Sequence, residues 1–143
     1  MILFDTNLLV YVHNRASPNH KRAFELETQV LKGELVASIS AQNLLEFYAT
    51  VTNPAKMEKP LTGEEANKVI SDYFQSSFKI IYPSQEALKL AFSLTKKKKL
   101  IGRRIFDIYL AATMIVNNVD TIYTNNEKHF RIFKELKVVN PFK

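Results

Sequence analysis

The apolar positions of this chain fall into short continuous runs separated by longer stretches of helical period. Ile2-Leu3-Phe4 is such a run, suited to a strand buried on both faces. Leu35 to Ile39, Lys79 to Tyr82, Thr121 to Thr124 and Lys137 to Val139 read as further strands. Between them the punctuation is helical. Asp5-Thr6-Asn7 supplies N-cap residue types ahead of a helical turn or two over Leu8 to His13. His20 to Lys32 has helical period and closes at Gly33. Ser40 caps a helix that runs to about Thr52, where Asn53-Pro54 stops it. Residues 55–61 are a loop, and Thr62 to Glu65 opens a helix with acids in its first turn, ending near Ser76-Ser77. Pro83 ends the third strand, and Ser84 opens a helix to about Lys99, closed near Gly102. Phe106 to Asn117 is helical and apolar nearly all round, which predicts a central, buried helix. Strands alternating with helices predict an α/β domain, a parallel sheet flanked by helices on both faces, occupying 1–143 as one unit.

Composition agrees and removes several function classes. The chain has 143 residues, 46% apolar, which suits one domain and argues against disorder. Cys is absent, so disulfides, thiolate metal sites and Cys nucleophiles are excluded. The three Gly, at 33, 63 and 102, cannot build GxGxxG or a Walker-A loop. GxSxG and HExxH are missing, and His13, His20 and His129 are too scattered to suggest zinc. The apolar N-terminus is interrupted by Asp5 and lacks a basic start and a cleavage site, and no apolar run reaches membrane-spanning length. The expectation is a soluble, cytoplasmic protein.

Charge changes the picture through its position. The net +6 lies within Lys96 to Arg104, where Lys96, Lys97, Lys98, Lys99, Arg103 and Arg104 stand without an acid, while basic and acidic residues balance elsewhere. Such a patch fits nucleic acid, an acidic partner or a membrane surface. Lysines at a helix C-terminus also complement the helix dipole, and charge runs often form solvated faces.

Candidate chemistry comes from acids in apolar surroundings. Asp107 has Leu110, Ala111 and Met114 as helical neighbours, and a carboxylate there is costly unless paired or on a metal. Its alternatives are an ion pair to Arg103 or Arg104, or dipole stabilisation near a helix start. Asp5 follows the first strand, where it serves equally as a helix cap or a ligand, and Thr124 ends the fourth strand. Glu46 points roughly 160° from the Leu44, Tyr48, Val51 face, so spacing alone favours a solvated side chain. Asn126 on its own is an ordinary turn residue. Together the acids suggest a carboxylate cluster, which needs a counter-ion, and Mg²⁺ or Mn²⁺ suits an all-oxygen site.

Four stretches in order, Ile2 to Tyr11, Ser38 to Phe47, Arg104 to Ala112 and Ile122 to Phe130, with the ending Val138-Val139-Asn140-Pro141, resemble the PIN domain family, specifically its VapC-type toxin ribonucleases. The resemblance covers nearly the whole chain. It implies a PIN-like sheet with acids at its carboxyl edge and a metal-dependent endoribonuclease. Asp5, Glu46 and Asp107 would be the catalytic acids, joined by Asn126 as metal ligands, with Thr6, Asn7, Thr124 and Glu127 in support. It further implies a small antitoxin partner and a homodimer. Many family members carry Asp where this chain has Asn126, which adds an oxygen but no charge. The expectation is one firm cation and a weaker second one, completed by substrate. The basic patch, ending beside Asp107, would grip RNA. Rival readings are a PIN module that holds RNA or antitoxin without cutting, a housekeeping RNA-processing nuclease, and, less consistent with a lone Asp after the first strand, a phospho-acceptor domain.

Overall fold

Leu3 and Phe4 are adjacent in the first strand and fully buried, yet they belong to different hydrophobic cores. Side chains alternate across a strand, so this one sheet must be covered on both faces. The computed structural model describes all residues, Met1–Lys143. In chain order the elements are β1 (Ile2–Phe4), α1 (Thr6–Val12), α2 (His20–Leu31), β2 (Ala37–Ser40), α3 (Ala41–Val51), α4 (Gly63–Phe74), β3 (Lys79–Ile81), α5 (Gln85–Lys98), α6 (Arg104–Val116), β4 (Thr121–Tyr123), α7 (Glu127–Phe130) and β5 (Lys137–Val139). The five strands are all parallel, in the order β3-β2-β1-β4-β5. Leu3 and Ile122 pack with residues of α5 and α6, and Phe4 and Ile39 with residues of α1 to α4. No helix is long and apolar enough to cross a membrane.

The predicted alternation of strands and helices is therefore observed, with three informative differences. The segment after β4 forms a single turn of helix, α7, too short to leave a period in the sequence. β2 begins at Ala37, later than expected, because Val36 is 67% exposed and pairs with no core. α6 begins at Arg104, which puts Asp107 in its first turn. The link from α5 to α6 uses two left-handed residues, Lys99 at φ 53° and Gly102 at φ 63°, so the chain reverses in a few residues.

Strand order decides where a site can form. From β1 the chain moves outward through β2 to β3, then crosses back to β4 and β5 on the other side. Loops leaving the carboxyl ends of β1 and β4 diverge, and the crevice between them is where open α/β sheets bind ligands.

Candidate active site

Register puts the first two polar residues of the crevice side by side. Phe4 pairs with Tyr123, so Asp5 and Thr124 are the next residues out on neighbouring strands. The Asp5 backbone N–H donates to the Tyr123 carbonyl at 3.0 Å, and Thr124 Oγ1 donates to Asp5 Oδ2 at 2.7 Å. Asp5 is also the N-cap of α1, with Oδ1 accepting from the Thr6 backbone N–H at 2.8 Å. The cap and ligand readings of Asp5 are thus compatible, because a cap uses only part of a carboxylate's lone pairs.

A second neutral donor reaches Asp5 from α3. Ser40 caps that helix in a reciprocal capping box with Asn43. This holds the fully buried Asn43 amide so that Nδ2 donates to Thr6 Oγ1 at 3.0 Å and to Asp5 Oδ1 at 3.4 Å. Thr6 Oγ1 then donates to Glu46 Oε2 at 2.9 Å, and Gln42 Nε2 donates to Glu46 Oε1 at 2.9 Å. Asn7 closes the other side, donating to Thr124 Oγ1 at 3.4 Å and accepting from the Asn125 backbone N–H. One hydrogen-bonded network therefore runs from β4 through Asp5 and α1 to α3.

Asp107 enters from α6 with different partners. Arg104 Nε and His129 Nδ1 each lie 3.3 Å from Oδ2. Arg104 also donates to the His129 carbonyl at 3.1 Å, which fixes the three groups relative to one another. The ion pair to Arg104 and the helix-start position are both present, so the structural alternatives for Asp107 hold alongside its place at the site.

Asp5, Thr6, Asn7, Glu46, Asp107 and Asn126 share one cavity of about 330 Å³, together with Lys56 and His129. An adjoining groove of about 580 Å³ adds Arg103, Arg104 and Phe106. Electrostatics follow from burial. Desolvation pushes the Asp5 carboxyl up from 3.8 to about 6, against the Thr124 hydroxyl and Thr6 N–H, and the Glu46 and Asp107 charges push the same way. Desolvation also raises Asp107, while His129 and Arg104 hold it down.

The donor set suits a hard, hydrated dication. All three acids offer oxygen, and the Asp5 charge is met only by neutral donors. No three Asp, Glu or His side chains stand close enough to cage an ion by themselves. Mg²⁺ in general keeps several waters and takes only one or two carboxylates directly.

Several expectations need correction. Glu46 is half-buried at the cavity and not a solvated side chain, because the buried stripe of α3 centres on Asn43, Leu44, Phe47 and Val51, while Tyr48 is 39% exposed. Glu46 stands on the same side as Gln42 and Asn43, one turn along. Glu127 is buried away from the acids, paired with Lys143 and Arg131, and the Lys143 hydrogen bond holds its carboxyl below the usual range. Asn126, which lines the cavity, precedes α7 with non-helical backbone angles, and Glu127 is its first helical residue. Lys96, Lys97, Lys98 and Lys99 line neither cavity. Lys98 instead donates to the Ile132 carbonyl at 2.7 Å and lies over the Phe133 ring. Only Arg103 and Arg104 of the basic segment reach the groove. Sequence reasoning missed Asn43, Gln42, Lys56 and His129. Asn43 alone carried a signal, at the capping-box spacing from Ser40.

Comparison with known proteins places the chain in a family. The PIN domain family model matches residues 2–136. Ribonuclease VapC24 of Mycobacterium tuberculosis is 28% identical over 141 residues, covering 99% of this chain and 97% of that protein. Among solved structures, VapBC2 from Rickettsia felis bound to a promoter DNA fragment superposes with a TM-score of 0.67 at 24% identity, covering 98% of each chain. A toxin-antitoxin complex from Klebsiella pneumoniae gives 0.65 at 22% identity, covering 100% of this chain and 99% of that one. At these identities the solved structures speak for the fold.

Proposed function

The chain belongs to the PIN domain family, and from that premise we propose that it is a metal-dependent endoribonuclease, the toxin of a type II toxin–antitoxin pair. The observation that carries this reading is the convergence of Asp5, Glu46 and Asp107, from three separate elements, on one cavity. The relative named Ribonuclease VapC24, matched along nearly its whole length, supports the same chemistry, and the Klebsiella complex makes an antitoxin the first protein partner to seek.

The roles divide by geometry. Asp5, Asp107 and Glu46 would hold Mg²⁺ or Mn²⁺, directly or through water, and Asn126 would contribute oxygen without charge to a weaker second ion. Such an ion, when bound, supplies an activated water and neutralises charge on the leaving oxygen. The protein's part is preorganisation. Thr124 and the Thr6 N–H fix both oxygens of Asp5. Asn43 orients Thr6, and Thr6 orients Glu46. Arg104 holds Asp107 to the cavity wall and, with Lys56, offers positive charge to RNA phosphate. Hydrolysis of RNA by purified protein in Mg²⁺, abolished by EDTA and by Asp5→Asn, is the expected result. Cleavage by Asp5→Asn at the wild-type rate would overturn the assignment.

Asn126, in place of an acid at the cavity, favours a second reading: a PIN module that holds RNA or antitoxin without cutting. The same assay separates the two, since that module binds the probe and leaves it intact.

A further inference from the structure

Four phenylalanines, at 24, 74, 92 and 106, are more than half exposed, and only Phe106 lines a cavity that contains the acids. It stands one residue before Asp107 in the first turn of α6, so the two side chains leave the helix about 100° apart. The Arg103 guanidinium lies over its ring, 5.7 Å from the centroid. The mount is rigid. Gln42 Nε2 donates to the Phe106 carbonyl at 3.0 Å and to Glu46 at 2.9 Å, tying this turn of α6 to the acids.

We propose that Phe106 and Arg103 form a stacking platform for an unpaired RNA base beside the acids, with Lys56 in the same groove as a backbone contact. The proposal rests on the ribonuclease reading and concerns which side chains of this chain would hold one unpaired base. A ring and a guanidinium plane are the groups on which unstacked bases pack, and every base has a face to offer them. Positive charge along the groove suits phosphates on either side of that base. An acidic peptide would use the cations and leave the ring in water. Duplex RNA keeps its bases stacked on each other and has none to give.

A short oligoribonucleotide carrying 2-aminopurine, titrated in EDTA to hold off hydrolysis, reads the platform directly. Wild type should quench the fluorophore on binding, and the same sequence in a duplex should not be quenched. Phe106→Leu, at an exposed position that tolerates it, should lose the quench and weaken binding roughly five- to hundred-fold, the range of one base–aromatic stack. Phe106→Trp should restore both, and Arg103→Lys, which keeps charge but not the plane, should fall between. Phe106→Leu with wild-type quench and affinity overturns the platform. If that variant also cleaves RNA normally in Mg²⁺, the ribonuclease reading survives. A wild type that neither binds nor cleaves the probe overturns both. Loss of affinity for a polyglutamate peptide but not for RNA in Phe106→Leu would make the surface a protein contact and overturn the proposal as well.

Discussion

Asp5 and Asp107 open on the same cavity and are held by opposite means. Asp5 sits at the carboxyl edge of the sheet with a hydroxyl, an amide and a backbone N–H as donors, all neutral. Asp107 sits at the start of α6 between Arg104 and His129. Burial raises both carboxyls, yet only Asp107 has Arg104 and His129 beside it to hold it down. Neutral donors fix an acid's position without cancelling its charge. The sheet edge is therefore the part of the site with an unmet demand for a counter-ion, and the α6 end is the part already balanced within the chain.

That contrast ranks the variants. Asp5→Asn should have the largest effect: loss of cleavage by about 10³-fold or more, in line with several kcal/mol of metal-derived stabilisation. Circular dichroism should show the fold retained. A smaller loss than that of Asp107→Asn would break the contrast. The next effect is on stability. In metal-free protein the native state binds more protons than the unfolded chain between pH 3.8 and about 6. Stability should therefore fall as pH rises through that window, by about 3 kcal/mol at roughly 1.4 kcal/mol per pKa unit. Urea unfolding in EDTA at pH 5 and pH 7 captures a little under half of it, about 1.3 kcal/mol. Subtracting the Asp5→Asn profile isolates this carboxyl, since His13, pushed down by burial, contributes the opposite slope in both proteins.

Thr124→Val removes the hydroxyl at 2.7 Å from Asp5 and leaves the Asn126 N–H without its acceptor. It should lower stability by about 2 kcal/mol, read from the urea midpoint, and move the acid limb of the pH profile upward. Arg104→Gln should cost less, roughly tenfold in cleavage, with Asp107 shifted further up, since His129 remains. Replacing Lys96, Lys97 and Lys98 with Gln should change cleavage by less than about twofold, because none of them lines the groove. A large drop in RNA affinity and salt slope from that variant would restore the lysine run as the RNA grip.

Legibility varied with the range of the interaction. Caps at Ser40, Thr62 and Ser84 were readable because a cap needs only its own next turn. Apolar spacing alone points Glu46 to solvent, because the hydroxyl that orients it, Thr6, is 40 residues away in sequence. Glu127 was misplaced for a related reason: its partner Lys143 is reached only when the chain end folds back. The net charge was located correctly in the sequence, yet Arg103 and Arg104 face the groove while the lysines do not, a division set by the reversal at Lys99 and Gly102.

Local pattern by itself determined the alternation of strands and helices, the two-sided sheet, the buried α6 and the acids worth asking about, because hydrophobic period and capping act over a few residues. The tertiary structure alone decided that β1 and β4 lie side by side, so that Asp5 meets Thr124 across 119 positions, and that Asn43 and Thr6 link this pair to Glu46. Those contacts depend on strand order and on the crossing of helices from both halves of the chain, which no short-range pattern encodes. The same packing brings three carboxylates to one crevice and withdraws Asp5 and Asp107 from water.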